Sequence, residues 1–132
     1  MFEVLKLTTE KKTALIDITG EIIAAVSRAR IESGLCYVHI PHSTAGITIN
    51  ENADPAVTLD IDSKLNRMIP RNEDYTHSEG NSDSHIKSSI FGSTLTIIIE
   101  KNGIMLGTWQ SIYFCEFDGP RNRMIYVKTI KG

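Results

Sequence analysis

Apolar and polar residues along this chain fall into short blocks, and the blocks predict the elements. Phe2 to Thr8 and Thr13 to Ile16 read as strands around the polar turn Glu10-Lys11-Lys12. Asp17 or Thr19 can then cap a helix whose apolar face is Ile22, Val26 and Ala29, at spacings of four and three, with Gly34 as its stop. Leu35 to Ile40 suits a pleated strand that Pro41 ends, and Ile47-Thr48-Ile49 begins another. Asp54-Pro55 supplies a cap acceptor and a ring already at helical φ, so a second helix follows. Val57, Ile61, Leu65 and Met68 form its stripe, and Pro70 stops it. Arg71 to Asn81 is polar and reads as a loop, after which Ser82 can cap a short helix to about Ile90 that Gly92 closes. From Thr94 the chain turns to strands: TLTIII, an Asn102-Gly103 hairpin turn, IML, then Trp109 to Phe114 and Met124 to Ile130.

Strands flank and follow the helices without a regular strand-helix-strand repeat. The class predicted is therefore α+β, mostly antiparallel, with two to three helices. At 132 residues, and without repeats or a Pro/Gly/Ser-rich linker, the chain reads as one domain spanning 1–132. Such a length buries roughly 68% of the unfolded surface, enough for one real core.

Composition narrows the function classes. Hydrophobic residues at 41% and charged residues at 23% exclude intrinsic disorder. Fourteen basic against sixteen acidic residues give a net charge of −2, so no general pull toward nucleic acid or an anionic membrane is expected. Leu95 to Ile99 is the longest apolar run and is far too short to span a bilayer. The opening MFEVLKLTTEKK lacks the pattern of a secretory signal, and Cys36 and Cys115 are scattered. The expectation is a cytoplasmic protein with both thiols reduced.

Polar chemistry collects in four segments between elements: Pro41 to Ala45, Asn50 to Asp54, Tyr75 to His85, and Glu116 to Arg123. His77 and His85 bracket Glu79 and Asp83, and His42 offers a third imidazole if its loop folds alongside. Three imidazoles would suit zinc or nickel and leave a position for water, although the spacing matches no compact zinc signature. The plainer reading makes Glu79 and Asp83 loop and helix-start residues, with Asp83 favourable to the helix dipole. His39 alternates with Tyr37 inside a strand and reads as structural. Asn50 and Glu51 can be a strand end and no more. Trp109 reads as core. Arg121 and Arg123 alternate at a strand start and, with Lys87, can form an anion site, or can be the charges of a solvated edge. No phosphate-binding glycine loop and no nucleophile elbow occurs.

Three blocks, HSTAGITINENADP, THSEGNSDSHIKSSIFGSTLTI and LGTWQSIYFCEFDGPRNR, together resemble the YjbQ-like family. They cover nearly the whole chain and stand in the family's order. The resemblance implies a compact α+β fold with β-sandwich-like sheets, assembled as a homotrimer. It also implies a pocket where His42, His77 and His85 lie near acidic residues. The activity implied is a secondary thiamine-phosphate synthesis, in which a pyrimidine diphosphate joins a thiazole phosphate and pyrophosphate leaves.

Two readings follow. In the first the chain is an enzyme acting on phosphorylated small molecules. Glu51, Glu79, Asp83 and His85 are then its catalytic candidates. Thr44, Asn50, Lys87, Arg121 and Arg123 are its phosphate-binding candidates, and His42, His77 and His85 its metal ligands, with magnesium arriving alongside substrate as the alternative ion. In the second the chain is a non-catalytic trimer that binds a divalent metal or an anionic metabolite.

Overall fold

The computed structural model describes all 132 residues, Met1–Gly132. In chain order the elements are β1 (Phe2–Thr8), β2 (Ala14–Asp17), α1 (Thr19–Ala29), β3 (Gly34–His39), β4 (Ala45–Glu51), α2 (Pro55–Met68), α3 (Ser82–Phe91), β5 (Thr94–Glu100), β6 (Gly103–Ile104), β7 (Gln110–Glu116) and β8 (Asn122–Lys131). The strands form a five-stranded sheet, in the order β1-β8-β3-β5-β6, and a three-stranded sheet, β2-β7-β4. Every neighbouring pair is antiparallel. The α+β class with three helices and antiparallel sheets is as expected.

The main core lies where the two sheets face each other. Cys36 and Val38 of β3, Ile97 and Ile99 of β5, and Ile125 and Val127 of β8 meet Ile47 of β4 and Ile112 and Phe114 of β7. Ile22, Ala25 and Val26 of α1 complete this core. Because side chains alternate along a strand, β7 serves two layers. Its Tyr113 and Cys115 face the other way and cluster with Phe117, against Leu15, Leu65 and Phe91. The smaller sheet is thus covered on both faces.

Local chemistry explains the element boundaries, including four that differ from expectation. Asp17 Oδ1 accepts from both the backbone N–H and the hydroxyl of Thr19, at 2.9 and 2.6 Å, while Ile18 takes the cap position of α1. That helix ends at Arg30, left-handed at φ 52°, and Gly34 instead opens β3. The hairpin turn is Lys101-Asn102, at φ 52° and 62°, one residue earlier than Asn102-Gly103. Pairing Ile99 with Ile104 requires it, since that register sets Gly103 opposite Glu100. Asn81, not Ser82, is the cap residue of α3. Asp54 caps α2 as expected, its Oδ1 accepting from Ala56 N–H at 2.9 Å. That helix rests on the surface: Val57, Ile61 and Leu65 are half-buried, and Met68 is exposed.

A buried ion pair joins the two sheets. Arg123 of β8 donates Nε–H to Glu116 Oε1 of β7 at 2.9 Å, and its Nη2 reaches Glu116 Oε2. Glu116 also accepts from the Thr9 hydroxyl at 2.7 Å and from the backbone N–H groups of Phe117 and Asp118 at 3.0 and 3.1 Å. The same Nη2 also donates to Thr44, to both carbonyl and hydroxyl oxygens, at 3.2 and 3.0 Å. Burial alone would raise the Glu116 pKa, but these hydrogen bonds and the Arg123 charge outweigh it and hold the carboxyl below its ordinary value.

Arg123→Met is expected to cost about 3–5 kcal/mol in urea unfolding, because it strands a buried carboxylate. A loss below about 1 kcal/mol would show that the pair does not hold the sheets together. The sign with pH follows from the lowered Glu116 pKa. Its contribution is complete above the unfolded value of about 4.3 and drains away as pH falls through the folded value. Wild-type urea midpoints should therefore drop below that pH more steeply than those of a Glu116→Gln variant.

Candidate functional site

Helix α3 builds the site, and it is seated by polar atoms. Ser84 donates its hydroxyl to Phe117 O at 2.5 Å, and Ser88 donates to Ala45 O at 2.6 Å. Both carbonyls belong to the smaller sheet's ends, where ladder partners run out. Gly46 lets the helix come this close, since a Cβ there would lie 2.9 Å from Gly92 O and 3.1 Å from Phe91 Cβ. With Ser84 and Ser88 facing inward, helical periodicity sends Asn81 and His85 along one flank and Asp83 and Lys87 along the other.

On the first flank lies an open pocket of about 350 Å³, lined by Pro41, His42, Ser43, Thr44, Glu79, Asn81, His85, Asp118, Arg121 and Arg123. Three of the four polar segments converge there. Arg121 is exposed and fixed along one edge, Nε to Asp118 O at 2.8 Å and Nη2 to Asp118 Oδ2 at 2.9 Å. Its Nη1 stays unengaged. Asn81 donates Nδ2–H to the same Asp118 oxygen at 2.9 Å and leaves its own Oδ1 without a partner. Burial would raise the Asp118 pKa, yet Asn81 and Arg121 hold it low. His42 Nε2 accepts the Met124 N–H at 2.9 Å, which places the ring proton on Nδ1. Burial, then the Arg123 charge, keep its pKa below that of a free imidazole.

The family model for UPF0047 proteins, YjbQ-like, matches residues 3–132. The chain belongs to the YjbQ-like UPF0047 family. It is 54% identical to a UPF0047 protein of Methanocaldococcus jannaschii over 125 residues, 95% of this chain and 91% of that one. It is 46% identical to the UPF0047 protein YugU of Bacillus subtilis over 131 residues, 98% and 99% of the two chains. A crystal structure of an uncharacterised YjbQ/UPF0047 protein from Clostridium acetobutylicum superposes with a TM-score of 0.95 at 51% identity, covering 97% of this chain and 99% of that one.

Within this YjbQ-like fold the residues singled out by sequence divide into four groups. His42, Thr44, Glu79, His85, Arg121 and Arg123 share the pocket. His77 stands beside it, its ring edge-to-face with His85 at 5.3 Å between centroids and Nε2 3.8 Å from Glu79 Oε2. Asn50 and Glu51 do not join them: they end β4, about 20 Å along the strand from Ala45 by its rise per residue. Asp83 and Lys87 sit on the opposite flank of α3. The anion site expected from Lys87, Arg121 and Arg123 is therefore not assembled, since Lys87 faces away and Arg123 is neutralised by Glu116. Nor do any three His, Cys, Asp or Glu side chains group closely enough to hold an ion within the chain. His42 in particular has already committed its Nε2 lone pair to an amide.

Sequence reasoning missed Asn81 and Asp118 as site residues. The only available signal was Asp118 three residues before Arg121, the spacing of a local ion pair across a turn. Trp109, expected in the core, is 62% exposed, because Gln110 Oε1 folds back onto Gly107 N–H at 2.7 Å and turns the loop outward. Cys36 and Cys115 are buried and free, and burial pushes the Cys36 thiol up to about 11 and Cys115 further. No helix is long and apolar enough to cross a membrane.

Nitrogen-15 NMR of His42 should show the Nδ1–H tautomer and a titration midpoint below about 6.5, the free-imidazole value. The Met124 amide should shift with the same midpoint, since protonated Nε2 can no longer accept its hydrogen. A midpoint at or above 6.5 would remove the neutral imidazole from the pocket.

Proposed function

We propose that the pocket holding His42, His85 and Arg121 binds phosphate-bearing small molecules, and that this YjbQ-like protein is an enzyme acting on them. One observation carries the reading: an unengaged guanidinium edge, two imidazoles and the Glu79 carboxylate line a single polar cavity. Guanidinium matches phosphate oxygens, and an imidazole beside it can neutralise or move a proton. The unpartnered Asn81 Oδ1 supplies an acceptor for a hydroxyl or amine on the same ligand.

The reaction that the family resemblance implies makes a demanding but definite use of such groups. The C–O bond to pyrophosphate breaks, and the thiazole nitrogen attacks the carbinol carbon left behind. Arg121 and His85 are placed to balance the charge gathering on the departing pyrophosphate, and Glu79 to balance the positive carbon. Arg123 and Thr44 act from beneath, keeping the pocket's floor in shape. No step is assigned to a zinc or nickel ion, and magnesium enters only with the diphosphate. We place the reaction in the cytoplasm.

We propose further that the protein works as a homotrimer. The support lies in apolar side chains left open by one chain, Leu59 and Met68 on α2 and Trp109 in the turn before β7. Light scattering with size exclusion should give about three times 14.7 kDa. A monomer at all concentrations would end this part of the proposal.

Both substrates with magnesium should yield thiamine phosphate and pyrophosphate, followed by phosphorus NMR. Arg121→Ala should raise KM about tenfold, as loss of a charge-assisted hydrogen bond predicts. His85→Gln should lower kcat about 100-fold if it handles a proton or the leaving charge. Folded variants that turn over like wild type would overturn the site assignment. Binding without turnover would leave a binding protein.

A further inference from the structure

The other flank of α3 carries a second polar pocket, of about 330 Å³, lined by Lys12, Thr13, Asn66, Pro70, Arg71, Asn72 and Asp83. Its floor consists of buried charge. Asp83 and Lys87 each expose only 1% of their surface. Lys12 Nζ donates to Asp83 Oδ2 at 2.7 Å, and Lys87 Nζ lies 3.7 Å from that oxygen while donating to Asn66 Oδ1 at 2.6 Å. Asn66 in turn donates to Thr13 Oγ1 at 3.1 Å. Among the side chains lining the pocket, two cations, Lys12 and Arg71, face one carboxylate, Asp83, while the buried Lys87 beneath, whose pKa burial lowers, is set against Asp83 and the nearby Asp62. The balance is positive and suits an anion.

One atom restricts which anion. Asp83 Oδ1 is buried and has no hydrogen-bond partner. A buried carboxylate oxygen left unpaired is costly, and it can only accept. A fully deprotonated anion entering this pocket would be repelled by it. An anion that still carries a proton would donate to it and be held by Lys12 and Arg71 at its other oxygens.

From this juxtaposition we infer that the Lys12–Arg71–Asp83 pocket is a second binding site, separate from the His42–His85 pocket, selective for a protonated oxyanion, of which monohydrogen phosphate is the plainest example. The selection separates phosphate from its chemical neighbours. At pH 7.5 inorganic phosphate keeps a proton, whereas sulfate has none and a phosphate monoester, with its second pKa near 6, has almost none. Loss of that one hydrogen bond to a charged acceptor predicts about tenfold weaker binding for sulfate and for methyl phosphate.

NMR titration of the full chain tests this with three probes at pH 7.5: inorganic phosphate, sulfate and methyl phosphate. Phosphate should shift the side-chain amides of Asn66 and Asn72 and should bind about tenfold tighter than the other two. Lys12→Ala and Arg71→Ala, both near the surface, should each weaken that response about tenfold, and Arg121→Ala should leave it intact. Asp83→Asn should bring the three affinities within about twofold of one another. The inference fails if the Asn66 and Asn72 amides do not respond to phosphate. It also fails if sulfate or methyl phosphate binds as tightly, or if Lys12→Ala and Arg71→Ala change nothing. Each outcome is independent of turnover in the first pocket, because it is read at residues that do not line it.

Discussion

Neither sheet alone could bury Glu116 or Arg123, and the meeting of the two sheets around that pair organises one end of the molecule. Removing both charges from water costs several kcal/mol per ion before any return. The return depends on complete satisfaction, so three separate stretches of chain are drawn in. Thr9 arrives from the β1–β2 connection, Thr44 from the β3–β4 loop, and the amides of Phe117 and Asp118 from the turn after β7. Gly119 permits that turn, because a Cβ there would stand 2.2 Å from Lys11 O and 3.0 Å from Glu116 Cγ. Once these loops converge, His42 is carried in two residues before Thr44 and Arg121 two residues before Arg123. The pocket's walls are in this sense by-products of solving a burial problem.

Helix α3 answers the same constraint differently. Its inward face is serine, aspartate and lysine, while Ile86 and Ile90 look outward. An apolar helix face would have left the carbonyls of Phe117 and Ala45 unpaired where the smaller sheet ends, and serine hydroxyls pair them instead. Hydrogen bonds of fixed direction also set the helix's rotation, which grease alone would leave looser. That rotation decides which residues reach which flank, and hence that two pockets of different character lie on either side of one helix. The outward isoleucines and the half-buried stripe of α2 are then surface that a single chain leaves uncovered.

The fold was legible wherever one local signal had one meaning. Asp54-Pro55 could only open a helix, and Asn-Gly after a run of isoleucines could only be a hairpin, misplaced by one residue because strand register, not turn propensity, chose the turn. Trp109 was misread because its size argues for burial, whereas Gln110 and Gly107 hold its loop open. The site was half legible. Histidines and arginines in loops announced polar chemistry, but their partners were set by tertiary placement that no spacing encodes. Arg123 and Arg121 are two residues apart, and alternation would give them one strand face, yet β8 starts only at Asn122: one is sunk against Glu116 and the other reaches solvent past Asp118. Asp83 and His85 are equally close in sequence, and helical geometry parts them to opposite flanks.

That division has a consequence for recognition in the first pocket. With Arg123 paired to Glu116 and His42 held neutral by burial and by the nearby Arg123 charge, the pocket's standing positive charge is Arg121, already shared with Asp118. A phosphate there meets a charge already partly compensated, whereas among the side chains lining the second pocket two cations, Lys12 and Arg71, outnumber one carboxylate, Asp83. The first pocket thus sets one shared guanidinium beside a neutral imidazole, an arrangement suited to balancing transient charge. The second holds a fixed charge. Two anion-compatible pockets flanking one helix therefore differ in kind, and the difference arises from where Glu116 and Asp83 spend their charge.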